Sequence, residues 1–403
     1  MSKLTNYAKI ILGGTPATNR PDFWDGGIPW VSVVDFTDSK KIYTTEKTIT
    51  ESGLSQSNTK LLNEGDIIIS ARGTVGKVAV CGKKMAFNQS CYALLTKGNN
   101  KLSQNYLFYL LQEKIKYLRQ MAVGGVFNTI IKSTLEKIPV ELPDISTQEK
   151  ISDILSAYDD LIDTNRRRIQ LLEDAARLLF CKWFVYFRFP GHEKVKIVDG
   201  VPEGWKKEKI NRLVTFKRGV EPGSDNYLET YESGSFPFFR VSDLVTRNPS
   251  IFVDEQYAKS ALLEKSDIVI SLDGSVGIVS MGLEGCYSTG IRKLIIKDKK
   301  INRSYLYFLM KSHYIQGVIN AYAKGTTIQH AGEAIKHMNS ILPPQNLMDL
   351  FDEITSPAFN EVLILLDQNQ KLAQARDLLL PRLMSGAIEV SESSIEISKE
   401  AET

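Results

Sequence analysis

The sequence predicts an α+β protein: two globular α/β domains with a pseudo-two-fold repeat, separated by two long antiparallel coiled-coil helices. Three observations lead there. The chain repeats itself at a near-constant offset, each half holds short β-branched runs between turn residues, and each half ends in a long three-and-four apolar period.

The repeat is anchored most firmly where Gly65-Asp66-Ile67-Ile68-Ile69-Ser70 matches Ser266-Asp267-Ile268-Val269-Ile270-Ser271, 201 positions later. Each segment runs into a glycine pair, Gly73/Gly76 and Gly274/Gly277. Upstream, Ile28-Pro29-Trp30-Val31 matches Phe236-Pro237-Phe238-Phe239, and an aspartate follows in each half, Asp35 and Asp243. Downstream, Tyr106–Leu111 matches Tyr305–Met310, Gly125 matches Gly325, and Pro143 matches Pro343. Anchors in one order with so little drift in spacing require a duplication.

The β-branched runs Ile67–Ser70, Val78–Val80, Ile268–Ser271 and Leu294–Ile296 lie between Gly, Asn and Asp turns, the pattern of strands. The segment YLFYLLQEKIKYLRQM (Tyr106–Met121) recurs at helical spacing. Proline-bounded connections (Pro139–Pro143, Pro343–Pro344) then lead into the longest periodic stretches. In the first, Ile151, Leu155, Tyr158, Ile162, Asn165, Ile169, Leu172, Ala176, Leu179 and Trp183 form a heptad seam. In the second, Phe351, Thr355, Ala358, Val362, Leu365, Asn369, Leu372, Arg376, Leu379 and Leu383 form a weaker one, with Pro357 in its first turns. Two such seams in one chain predict an intramolecular coiled coil. Domains at opposite ends of it require antiparallel helices, each about 50 Å long at 1.5 Å per residue. The expected division is residues 1–145, a helix over 146–190, linker and second domain over 191–345, a second helix over 346–388, and a disordered acidic tail over 389–403.

Composition narrows the function. At 403 residues, 43% hydrophobic and 24% charged, the chain has material for sizeable cores. No apolar run is long enough to span a membrane, and the opening MSKLTNYAKIILGG has no signal-peptide pattern, so a cytoplasmic location is expected. Cys81, Cys91, Cys181 and Cys286, like the four histidines, are scattered, which argues against zinc. Net charge is +3; the tail holds five acids and one base, leaving +7 on residues 1–388, compatible with a polyanionic partner.

No catalytic signature stands out. The one Pro-Pro, Pro343-Pro344, follows Leu342 and precedes Gln345, unlike the Asn/Asp-Pro-Pro-aromatic motif of an amino-methyltransferase. Gly73-Thr74-Val75-Gly76-Lys77 has two residues between its glycines where a phosphate loop has four, and Val78 stands where Ser or Thr should bind magnesium. Asp66 and Asp267 sit at strand starts, where acids cap turns. The chain reads as a non-enzyme.

The first long helix ends LLEDAARLLFCKWFVYFRFPG (Leu171–Gly191), the second ends LLLPRLMSGAI (Leu378–Ile388), and the second domain opens VPEGWKKEKI (Val201–Ile210). With the duplication, these motifs resemble the specificity subunits of type I restriction–modification systems, over roughly residues 5–388. The first domain departs from the pattern in lacking an opening like Gly204-Trp205. The resemblance implies two target-recognition domains that bind the halves of a bipartite double-stranded DNA site, with a gap set by the helices. It also implies a scaffold for two methyltransferase subunits and for restriction/translocase subunits. S-adenosylmethionine, ATP and magnesium would be bound by those partners, with no cofactor on this chain. The competing reading is a two-headed protein-interaction scaffold without DNA specificity.

Base readout needs Arg, Lys, Asn, Gln, Ser or Thr at groove edges. The loop after each central strand is the first candidate. Arg72 would pair with guanine and Thr74 and Lys77 would hold phosphate in one half; Asp273 and Ser275 stand in the other, where Asp273 either accepts from a cytosine amino group or caps the turn. The glycine pairs also have a purely structural reading as tight turns. Further candidates are Asn128 and Thr129; Thr326, Thr327, Gln329 and His330; Arg240 and Ser242; and Asn88, Gln89 and Ser90. Arg166-Arg167-Arg168 reads first as a solvated face. The aromatic run including Trp183, Phe184 and Phe187 is either core or a docking surface for the methyltransferase.

Overall fold

In the computed structural model, which describes residues 2–72, 75–98, 100–121, 129–325 and 329–390, the repeated central strands explain the architecture. All four residues of Ile67–Ser70 are buried, as are all four of Ile268–Ser271. A strand alternates its side chains between two faces, so a continuous buried run needs cover on both. Ile67 and Ile69 pack with Tyr106, Leu107 and Leu110, whereas Ile68 packs with Val31, Phe87 and Ala93. Likewise Ile268 and Ile270 share a core with Leu306 and Met310, and Val269 faces Phe238 and Tyr287.

The chain divides into two units, Met1–Thr164 with Asn369–Thr403, and Asn165–Gln368. In the first, the strand order of one sheet is Ala8–Leu12, Cys91–Thr96, Ile67–Ser70, Val78–Cys81, Lys41–Ile42. A second sheet runs Lys47–Ile49, Trp24–Val31, Met85–Phe87, Lys60–Leu62, its middle pair parallel. The second unit repeats the first order without its fifth strand, as Val214–Arg218, Ile291–Ile296, Ile268–Ser271, Val279–Ser280, and the second in full, as Phe252–Asp254, Ser235–Phe239, Gly285–Tyr287, Leu262–Leu263, again with a parallel middle pair. The turn aspartates do the same work in both. Asp35 accepts the Ser32 amide and hydroxyl, and Asp243 accepts the Arg240 amide and the Ser242 hydroxyl. Asp66 and Asp267 accept the amides of Asn63 and Glu264, which makes them turn caps.

The helix after the sheet is Gln104–Met121 in the first unit. In the second it breaks into Arg303–Lys311 and His313–Tyr322, because the Ser312 hydroxyl accepts the Ile315 amide and starts a new helix.

The two long helices span Ile145–Phe180 and Gln345–Met384, the second passing unbroken through Pro357 and Pro381. Each contributes to both units. Within the first unit, Arg376 binds Asp159 at 2.6 Å and the Asn369 amide donates to the Ile162 carbonyl, while Ile151 and Leu155 share a core with Leu380 and Leu383. Rising numbers meet falling ones, so these segments pack antiparallel. Within the second unit Arg168 pairs with Glu361 at 2.8 Å, and the Phe180 ring lies against Phe351 at 6.2 Å, again antiparallel. The first seam differs from expectation at two places: Asp159 and Phe180 are buried where Tyr158 and Leu179 were expected. In the second, Phe359 replaces Ala358.

Candidate nucleic-acid interface

In each unit a buried serine closes the loop after the central strand. The Ser70 hydroxyl accepts the Lys77 amide at 2.9 Å, and Gly76 donates to the Ser70 carbonyl at 2.8 Å with φ +78°. The Ser271 hydroxyl donates to the Ser275 carbonyl at 2.6 Å and accepts the Ile278 amide at 2.9 Å; Gly277 donates to the Ser271 carbonyl at 2.8 Å with φ +87°. A side chain at such φ is strained, which is why glycine recurs there.

Two other stretches, distant in sequence, meet this loop. In the first unit Arg72 pairs with Thr129, the Ile130 amide donates to the Ala71 carbonyl, and the Ala71 amide donates to the Ser90 carbonyl. In the second, Asp273 pairs with His330 and Gly274 with Gln329, and the Leu272 amide donates to the Gly290 carbonyl. All three sequence candidates of the first half therefore converge on one place, and in the second half two do, joined by Gly290, which the sequence did not single out. The third candidate of the second half abuts it, where Val241, between Arg240 and Ser242, lies against Gly274 and Gly290. Arg72, Gln89, Thr129, Ser275, Gln329 and His330 are exposed there. Arg72 makes no side-chain hydrogen bond or ion pair among the described residues. Thr74, Asn128, Thr326 and Thr327 lie outside the described residues.

Several candidates are already engaged. The Lys77 amine donates to the Phe36 carbonyl at 3.2 Å and lies 3.8 Å from Asp38, so it is turned away from the phosphate role expected of it. Arg240 binds Ser250 at 3.0 Å and Asp243 at 3.4 Å, and Ser242 binds Asp243, so this pair shapes a turn. Asn88 uses its carbonyl on the Ser90 amide, and Gln89 accepts from Thr15. Asp273 does not offer a free acceptor: Arg292 binds one oxygen at 3.0 Å and His330 the other at 2.8 Å.

Arg292, and Arg218 beside it across the sheet, escaped the sequence reading because they sit inside strands. A signal existed. Where the first half has Arg72 and Tyr92, the second has Asp273 and Arg292, a paired change of charge at matching positions.

The docking surface expected at Trp183 and Phe184 is corrected. Both rings are buried in the second unit's core, against Phe351 at 6.0 and 5.0 Å, and Phe187 lies edge-on to Trp205 at 5.3 Å. An aromatic run at a helix end is apolar area that the fold itself covers.

Burial raises the Cys81 and Cys91 thiols to about 12 and that of Cys286 to about 11, which makes these three poor nucleophiles. Among the described residues no His/Cys/Asp/Glu group could hold a metal, and no helix is long and apolar enough to cross a membrane.

Proteins similar in sequence and in fold are known. The sequence model of the type I restriction modification DNA specificity domain matches residues 1–174 and 202–347. The chain belongs to that family and is a type I restriction–modification specificity subunit. It is similar to the type I restriction enzyme MjaIX specificity subunit of Methanocaldococcus jannaschii, 27% identical over 410 residues, covering 97% of this chain and 94% of the relative. The HindI specificity subunit of Haemophilus influenzae is 24% identical over 371 residues, covering 74% and 80%. Among solved structures, the type I restriction-modification S subunit from M. genitalium shares the fold with a TM-score of 0.55 at 17% identity, covering 97% and 96%.

Proposed function

We propose that this chain is the non-catalytic reader of a bipartite double-stranded DNA target, each unit recognising one half-site through the face where its serine-closed loop meets the two distant stretches. The observation that carries this reading is the duplicated convergence: the same backbone frame, twice, with different exposed side chains on it. Arg72, Gln89, Asn88 and Thr129 would face one half-site, and Ser275, Gln329 and His330 the other. Thr74, Asn128, Thr326 and Thr327 are assigned to the same faces on sequence grounds alone. Lys77, Asp273, Arg240 and Ser242 would support the frame.

The functional division is two recognition domains (1–145 and 191–345) with an antiparallel coiled-coil spacer (146–190 and 346–388) that sets the gap between half-sites. The chain also scaffolds two methyltransferase subunits and the restriction/translocase subunits. S-adenosylmethionine, ATP and magnesium are bound by those partners. Leu171 and Leu178, exposed and seven residues apart on the first long helix, give the second unit apolar area of the kind a partner covers.

The test is modified-base mapping of genomic DNA from cells with and without this chain, its methyltransferase partner present in both. Loss of N6-methyladenine from one gapped motif is the expected result, and exchanging one recognition domain should change one half of that motif only. An unchanged methylation pattern would leave DNA specificity without support. Binding by the assembled complex should also weaken steeply with salt, as phosphate contacts require.

A further inference from the structure

We infer that His330 is a base-reading residue and that Asp273, held by Arg292, is the group that positions it. The inference rests on the reading that the second unit meets DNA through this face, and it names the side chain that does so.

The His330 side chain is 64% exposed, yet it is fixed from three directions. Its backbone stands opposite Asp273 in the strand ladder on one edge, and on the other it exchanges two bonds with Lys324, of 2.8 and 3.1 Å. Its ring nitrogen Nδ1 lies 2.8 Å from Asp273 Oδ1. Asp273 itself has little freedom: its side chain is 17% exposed, and its other oxygen meets the Arg292 guanidinium, 10% exposed, at 3.0 Å. Arg292 is anchored in turn to the carbonyls of Thr289 and Ile291. The chain of contacts runs from the sheet outward, Arg292 to Asp273 to His330, and ends on an exposed ring.

The chemistry at the end of that chain is defined. A carboxylate ion-paired with Arg292 can only accept, so Nδ1 carries the hydrogen that joins ring to carboxylate. In the neutral imidazole, Nε2 is then an acceptor with no protein donor assigned to it among the described residues. Its complement in the DNA major groove is an exocyclic amino group, N6 of adenine or N4 of cytosine. The acceptor role that the sequence offered to Asp273 is thus passed outward to His330. The first unit has no such relay: Arg72 and Tyr92 hold the matching positions, so the two faces present opposite hydrogen-bonding character, a donor in one and an acceptor in the other.

The experiment maps N6-methyladenine genome-wide in cells that make the full chain with its methyltransferase subunits, comparing wild type with His330→Ala, His330→Gln and Asp273→Asn. His330→Ala should lower discrimination at one base position of one half-site by about tenfold and leave the other half-site unchanged. His330→Gln, whose amide oxygen can also accept, should restore much of it. Asp273→Asn should relax the same position, and its effect should vanish in the His330→Ala background, because two residues acting through one contact do not add. A uniform fall in methylation at all sites, with no shift in base preference, would make His330 a phosphate contact and overturn the inference. No change at all would overturn it too. A wild-type chain that directs no motif would refute the DNA reading itself, visibly and without any variant.

Discussion

Asp159 is a buried polar residue that ties the first unit's helices together. Its carboxylate accepts the Tyr109 hydroxyl and an Arg376 nitrogen, each at 2.6 Å, and the Lys40 amine donates to the same hydroxyl at 3.0 Å. The Asp159 side chain is 6% exposed and that of Arg376 21%. Breaking a buried pair by removing one partner costs about 3–5 kcal/mol. Arg376 keeps a second partner in Asp377 and some solvent, which brings Asp159→Ala down to or just below that range, about 2–3 kcal/mol. Asp159→Asn keeps an acceptor for the hydroxyl and should lose only about 1 kcal/mol. Tyr109→Phe removes one hydrogen bond to a charged group and should fall between, at about 1.5–2 kcal/mol. Burial, with the Asp159 charge next, pushes the Tyr109 phenol far above its ordinary value, so it stays a donor at any working pH. The assay is hydrogen exchange on the full chain, because two units need not unfold together. Protection should drop over residues 104–115 and 145–164, while residues 303–311 of the second unit keep theirs. An Asp159→Ala variant within about 0.5 kcal/mol of wild type would refute the argument, since that is the range of an ordinary surface change.

Two further outcomes follow from the same geometry. Asp144 caps the first long helix, accepting the Thr147 amide at 2.9 Å and hydroxyl at 2.8 Å, and the amide bond first and the hydroxyl second hold its carboxyl below the ordinary 3.8. A carboxylate depressed in the folded state stabilises above the unfolded value and loses that contribution as pH falls through the folded one. Asp144→Ala should therefore be less stable than wild type at neutral pH, with the gap closing on acid titration below about pH 4, followed by helical circular dichroism. In the loop after the second unit's central strand, a Cβ on Gly277 would lie 2.4 Å from the amide oxygen of Gln316, whose nitrogen is held on the Gly277 and Met310 carbonyls, at φ +87°, whereas one on Gly274 meets nothing closer than 3.8 Å. Gly277→Ala should thus cost the loop more than the ~1–2 kcal/mol of left-handed strain that Gly274→Ala pays alone, read as faster exchange over residues 268–280.

What the sequence made legible was whatever carries a period. The duplication, the central strands and most of both helical seams followed from spacing alone. What it hid were pairings across long separations. Arg376 read as a flaw in the second seam, and Asp159 was passed over for Tyr158, yet the two residues complete each other at 217 positions' distance. A charged residue fits a seam only when its partner is in place, and no local window contains that partner. The same holds for the candidate site. The loop, the paired stretch and the turn were each visible as polar segments, but that they share one place depends on sheet register. Arg292 needed its Asp273 partner to be noticed at all. Trp183 and Phe184 show the same limit, because whether an aromatic run is core or docking surface cannot be read without knowing what covers it.

The two units separate the residues that build the frame of the candidate site from those that give it character. Ser70 and Ser271 are buried and bind their loops in the same way, Gly76 and Gly277 share one backbone conformation, and Asp35 and Asp243 hold equivalent turns. Each of these residues holds the backbone that brings the distant stretches together. Arg72 and Asp273, by contrast, occupy the same place in the frame with opposite charge, and the frame tolerates both because Tyr92 becomes Arg292 beside the acid. A buried acid without that arginine would have stood uncompensated next to the sheet. Changing what such a face recognises thus requires paired changes, one exposed residue together with the neighbour that balances it. Arg292→Tyr alone should accordingly damage the second unit more than Asp273→Arg and Arg292→Tyr combined, a comparison that thermal denaturation of the three chains would decide.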